Sequence, residues 1–89
     1  MIWEAETEKK FKILISKIPV FHRYIAESVV MRQAEEIAGK RNCCQVEEQD
    51  VIAAFFSDVP SPFYSMMVRL LGQNGFNYKK YGFPKNIKN

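Results

Sequence analysis

No stretch of this 89-residue sequence approaches the roughly 18 consecutive apolar residues that a membrane-spanning helix needs. Cysteine is scarce. Its two copies, Cys43 and Cys44, are neighbours, and adjacent residues rarely meet the Cα separation and dihedral angles of a disulfide. No bridge is therefore expected to staple the fold. There is one histidine, His22. Even with both thiols it gives three ligands without the usual spacing, short of a structural zinc site. A phosphate-cradling glycine loop is missing too, as is a serine–histidine arrangement with a credible third member. The chain reads as a non-enzyme with no catalytic residues, no metal and no cofactor of its own. The start, Met1-Ile2-Trp3-Glu4-Ala5-Glu6, lacks the basic-then-apolar order of a secretory signal, so a cytoplasmic protein is expected.

What is present fits a small globular domain. The apolar fraction is 47%, ordinary for a folded protein, and one domain is expected at this length. One core of this size supplies about 3–5 kcal/mol, so an oligomer or a partner could add stability. The net charge of +3 is unevenly spread. Residues 1–75 hold nine Lys/Arg against ten Asp/Glu, whereas residues 76–89 hold Lys79, Lys80, Lys85 and Lys88 with no acid. The basic character lies wholly in the C-terminal segment.

Apolar spacing predicts an all-α chain: a bundle of about four helices over residues 1–75, followed by a short extended aromatic and basic tail over 76–89. A first helix over 4–16 starts with Glu4, Glu6 and Glu8 at the positive end of its dipole and lines up Ala5, Phe11, Leu14 and Ile15, with Ile18 beyond. Pro19 breaks it and can open the next helix. That second helix, over 20–40, is the longest, with Phe21, Ile25, Val29, Ala34, Ile37 and Ala38 at core spacing and a stop at Gly39 to Asn42. Glu47 and Asp50 have capping-box spacing ahead of a third helix over 48–56, which buries Val51, Ile52, Ala54 and Phe55 and ends at Ser57-Asp58-Val59-Pro60. Ser61 as cap and Pro62 as first residue start a fourth helix over 62–73, with Phe63, Met66, Met67, Leu70 and Leu71 inward and Asn74-Gly75 as its stop.

Trp3-Glu4-Ala5-Glu6, then Lys17-Ile18-Pro19-Val20-Phe21-His22-Arg23, then a long helix carrying Ala34 and Ala38, then Val46-Glu47-Glu48-Gln49-Asp50-Val51 resemble one known module. It is the C-terminal domain of the large B subunit of light-independent protochlorophyllide reductase, which also occurs as a stand-alone short protein. The resemblance covers residues 3–55 and rests on Trp3, Glu4, Ala5, Glu6, Ile18, Pro19, Phe21, Arg23 and Asp50. The sequence departs from the family pattern where the tryptophan motif is shortened, where Val20 replaces an aromatic, where His22 replaces an aliphatic, and where Cys43-Cys44 occupies the connection. Residues 57–89 fall outside it. The parent enzyme works through iron–sulfur clusters, each needing about four ligands. Two adjacent cysteines cannot supply them, so the resemblance implies a fold and a docking role but no reductase activity. Ala34-Glu35-Glu36-Ile37-Ala38 followed by Val46 to Ala53 also resembles the end of a histone fold, which binds DNA as a dimer.

The expected function is thus a non-catalytic accessory or protein-interaction module with a protein partner and no membrane. Two alternatives stand beside it: a nucleic-acid binder, through histone-like helices or the tail, and an accessory protein for a tetrapyrrole-type ligand. A homodimer is compatible with any of them. The candidate interaction surface comprises His22, Arg23, Tyr78, Lys79, Lys80, Tyr81 and Phe83. His22 and Arg23 are either a polar pair at a cleft or a solvated helix face. The tail interleaves aromatics with positive charge, a pattern able to hold phosphates and stack bases, to contact an acidic protein, or to fold back as an aromatic clasp over the fourth helix with its lysines in water. The clasp is favoured, because a thin core gains from covering. Trp3 either stacks on a planar ligand or anchors the first helix. Met66 and Met67 beside Phe63 either pack in the core or form an adaptable partner groove. Cys43 and Cys44 read as inert thiols, one buried and one exposed.

Overall fold

A computed structural model describes residues 1–58 and 61–83. Val59, Pro60 and residues 84–89, with Lys85 and Lys88, lie outside the described residues, as does the side chain of Ser61 expected to cap the last helix.

Four α-helices dominate: α1 (Ala5–Ser16), α2 (Val20–Lys40), α3 (Glu48–Asp58) and α4 (Tyr64–Gln73). Two short strands, β1 (Ile2–Trp3) and β2 (Gln45–Val46), pair in parallel with Ile2 opposite Gln45 and Trp3 opposite Val46. The small all-α bundle expected from the apolar spacing is the architecture found, with this bridge added. A two-residue strand has too few positions to show an alternating pattern. The bridge leads directly into α1, where the Glu4 amide donates to the Val46 carbonyl at 2.9 Å and Thr7 at the first turn donates its hydroxyl to the Glu4 carboxylate. No helix of the described residues is long and apolar enough to cross a membrane.

Helix α2 begins and ends where the sequence predicts. Pro19 fixes its start in an extended conformation (φ −53°, ψ 141°). Its end is made by Asn42 rather than Gly39. Asn42 takes the left-handed conformation at φ 60° while the Cys43 amide reaches back to the Ala38 carbonyl at 3.0 Å, the Schellman arrangement. Helix α4 stops as expected at Gly75 (φ 84°), with the Phe76 amide on the Leu71 carbonyl. Its expected first turn is instead a 3₁₀ turn, Ser61–Phe63. The tail is not extended over 78–81: Tyr78–Tyr81 forms a second 3₁₀ turn, capped by the Asn77 side chain and closed by left-handed Gly82.

The core collects Phe11, Leu14 and Ile15 of α1, Val30, Ala34 and Ala38 of α2, Val51, Ile52, Ala54 and Phe55 of α3, Met67 and Leu71 of α4, and Phe76 beyond it. Helix α2 differs most from expectation. Phe21 and Ile25, placed in the core by their spacing, face solvent, and Val29 is only half-buried. Small side chains let two helices approach closely, so the Ala34 and Ala38 stripe faces inward and the bulkier stripe is turned out. On the other helices, Ala5 and Phe63 are exposed rather than inward.

Candidate functional site: an apolar groove beside an uncovered helix face

The residues of the resemblance and of the candidate interaction surface all lie within the described part. Trp3 anchors the N-terminus: its ring lies 5.2 Å from that of Phe11, and its indole N–H donates to Glu35 at 3.0 Å. Glu4 holds the bridge and Thr7, while Ala5 and Glu6 are exposed. Asp50 is fully buried (0% exposed) and is the electrostatic centre of the α2–α3 connection. It accepts from Arg41 Nε at 2.9 Å and Nη2 at 2.6 Å, and from the Glu47 amide at 2.8 Å. The last bond is one half of the expected capping box. This bidentate pair raises the affinity of Arg41 for its proton, against a smaller opposing effect of burial.

Arg23 spans the Pro19 break. Its Nε and Nη2 donate to the Ile18 carbonyl at 3.2 and 3.1 Å, and Nη2 also donates to the Ser16 carbonyl at 3.1 Å. It satisfies carbonyls at the C-terminal end of α1, where positive charge is favourable. Arg23 is therefore engaged in joining two helices.

The described part of the tail is a clasp, but its Tyr78 and Phe83 rings meet Phe56 of α3, whereas the sequence predicts a clasp over the fourth helix. Phe76 is buried, and Tyr78, Tyr81 and Phe83 pack on the core. Phe83 stacks on Phe56 of α3 at 5.0 Å and 16°, with Tyr64 (5.6 Å) and Tyr78 (6.3 Å) around the same ring. Lys79 and Lys80 are exposed, and Lys80 lies over the Tyr81 ring. A polar knot fixes this segment. Lys10 contacts Glu48 and the Gly75 carbonyl, each at 2.8 Å, while Glu48 accepts from the Asn77 amide at 2.7 Å. Cys43 is half-buried and Cys44 exposed, both free. Among the described residues no group of three or more His, Cys, Asp and Glu side chains could hold a metal ion.

A further feature is one that spacing alone did not locate. A groove of about 440 Å³ runs between the C-terminal end of α1, the first half of α2, the end of α3, and α4. Ile18, Pro19 and His22 form one end; Ile25 and Val29 form the α2 wall; Phe55 and Asp58 come from α3; Phe63, Met66, Met67 and Leu70 close the far side. Among the described residues of this wall, His22 and Asp58 are the titratable groups. The Phe63-Met66-Met67 group thus lines the groove while Met67 is also buried in the core.

Outside the groove, α2 continues the apolar surface. Phe21 is 89% exposed and Tyr24 78%, with Val20 and Ile25 also well exposed. Ile25 belongs both to the groove wall and to this outer face, so the two are one continuous surface. A sequence signal for it exists: Val20, Phe21, Tyr24, Ile25, Ala26, Val29 and Val30 are too many apolar side chains for the core-facing side of one helix. Tyr78 and Phe83 of the tail belong to the separate cluster on Phe56. No family model, curated protein or solved structure matches the chain.

Proposed function

We propose that this chain is a non-catalytic protein-docking module, built like the C-terminal domain of the protochlorophyllide reductase B subunit, which engages its partner through the outer face of α2 and the adjoining groove. One observation carries the reading: large apolar side chains on the first two turns of α2 face solvent beside an open apolar groove. Contiguous exposed apolar surface of this kind marks interaction sites. Aromatics at its centre are the residue type that dominates binding energy at interfaces.

The nucleic-acid alternative is less favoured, because Tyr78 and Phe83, which would stack on bases, are packed around Phe56, and Tyr81 also packs on the core. A planar ligand in the groove would leave Phe21 and Tyr24 uncovered, so a protein surface accounts for more of the exposed area.

Photo-crosslinking in the native host tests the docking reading. A benzoylphenylalanine at position 21 is expected to capture a protein that the same probe at exposed position 12, on α1, does not. The adduct, identified by mass spectrometry and purified, is expected to bind the wild-type chain and to lose at least about thirtyfold in affinity with Phe21→Asp, the loss of one strong anchor. Identical adducts from positions 12 and 21, or none from 21, would sink the reading.

A further inference from the structure

We infer that the occupant of this surface is a second copy of the same chain, docked about a two-fold axis so that Phe21 of each protomer enters the groove of the other. The inference rests on the docking reading and names its partner.

Four observations favour a copy. First, the surface is self-complementary: it carries a projecting aromatic, Phe21, and a concavity, joined at Ile25. A two-fold operation pairs each projection with each concavity, which is the requirement of an isologous interface. An unrelated partner would need only one of the two. Second, the dimensions agree. A cavity of roughly 150 Å³ accommodates one benzene ring, so a groove of about 440 Å³ admits Phe21 with part of Tyr24. Third, the area agrees. From their fractional exposures and roughly 150–250 Å² per aromatic side chain, Val20, Phe21, Tyr24, Ile25 and Phe63 together present about 700 Å². A stable interface needs about 800 Å² per partner, and the groove wall supplies the difference. Fourth, the surface carries little charge. Those five side chains carry none, and the described lining of the groove brings one base, His22, and one acid, Asp58.

Sedimentation equilibrium on the full chain, from low micromolar to near-millimolar concentration, measures the mass directly. The expected result is a reversible rise from 10.4 kDa to twice that value. Phe21→Asp is expected to weaken dimerisation at least about thirtyfold, while Lys12→Asp leaves it unchanged. Because Phe21 is exposed, the circular dichroism and Trp3 fluorescence of Phe21→Asp should stay native, which separates lost association from lost folding. In a mixed-isotope sample, intermolecular nuclear Overhauser contacts should join the Phe21 ring to the Met66 and Met67 methyls. A mass that stays monomeric throughout, or a dimer that Phe21→Asp leaves intact, overturns the inference. If the chain is monomeric yet position 21 captures a different protein in cells, the docking reading stands and the second copy is ruled out. If neither association occurs, both fail.

Discussion

Breaking the Arg41–Asp50 pair is the most direct test of how the α2–α3 connection is held. Asp50 is fully buried and accepts three hydrogen bonds, two from Arg41 and one from the Glu47 amide. Hydrogen bonds to a charged group contribute about 1.5–3 kcal/mol. The Arg41 side chain is 32% exposed, so water rehydrates it when its partner is removed, which places the pair at the low end of that range. The lost hydrogen bond at the start of α3 adds about 1 kcal/mol. Asp50→Ala is therefore expected to cost about 3 kcal/mol, a large part of the roughly 5 kcal/mol available to a domain of this size. Arg41→Ala should cost more, about 4 kcal/mol, although Arg41 is the more exposed partner. It strands a carboxylate that water cannot reach, and breaking a buried pair from one side costs about 3–5 kcal/mol. Urea unfolding followed by Trp3 fluorescence and by circular dichroism gives both values, and the double variant gives the coupling. At about 4–8 °C per kcal/mol for a chain of this length, Asp50→Ala should lower Tm by about 12–24 °C. A loss under about 1 kcal/mol for Asp50→Ala, or an Arg41→Ala variant clearly milder than Asp50→Ala, would refute this account.

Three further substitutions probe other parts of the fold. Gly75→Ala should cost about 1–2 kcal/mol in urea unfolding, because position 75 holds φ 84° and an added Cβ would lie 3.3 Å from Lys10 Cδ. Ala34→Leu should lower stability by about 1–3 kcal/mol, since Ala34 is fully buried on the face that α2 turns toward the core and overpacking forces backbone shifts; a neutral thermal melt would show slack in that packing. Phe83→Ala should remove about 1 kcal/mol of ring stacking on Phe56 and speed amide hydrogen exchange over residues 76–83 while α2 stays protected. Uniform acceleration across the chain would show that the clasp is part of the global unfolding unit.

Legibility varied with how local the cause was. The limits of α2 were readable because Pro19 and the Gly39–Asn42 stretch act through their own backbones. The assignment of the stop to Asn42 was less so, because Gly and Asn both adopt left-handed geometry and only the hydrogen bond from Cys43 to Ala38 distinguishes them. The core residues of α3 were readable because that helix has one apolar stripe. Helix α2 has two overlapping stripes in its first half, Phe21-Ile25-Val29 and Ala26-Val30-Ala34, and a 3.6-residue period accepts both. The role of Arg23 was hidden for a similar reason: a cation near a proline looks the same in sequence whether it faces solvent or the carbonyls of the preceding helix.

By itself the sequence determined a small helical chain, the positions of its breaks, its uneven charge and the adjacency of its two cysteines. These depend on residue identity and on neighbours within a turn or two. Tertiary structure decided which stripe of α2 is buried, that Lys10, Glu48 and Gly75 meet, and that Phe83 stacks on Phe56. It also decided that parts of all four helices leave a groove beside exposed Phe21. The physical reason is that burial is a competition between faces. The close approach allowed by Ala34 and Ala38 settled it, and the larger side chains of α2 were left on the outside, where another protein surface can cover them.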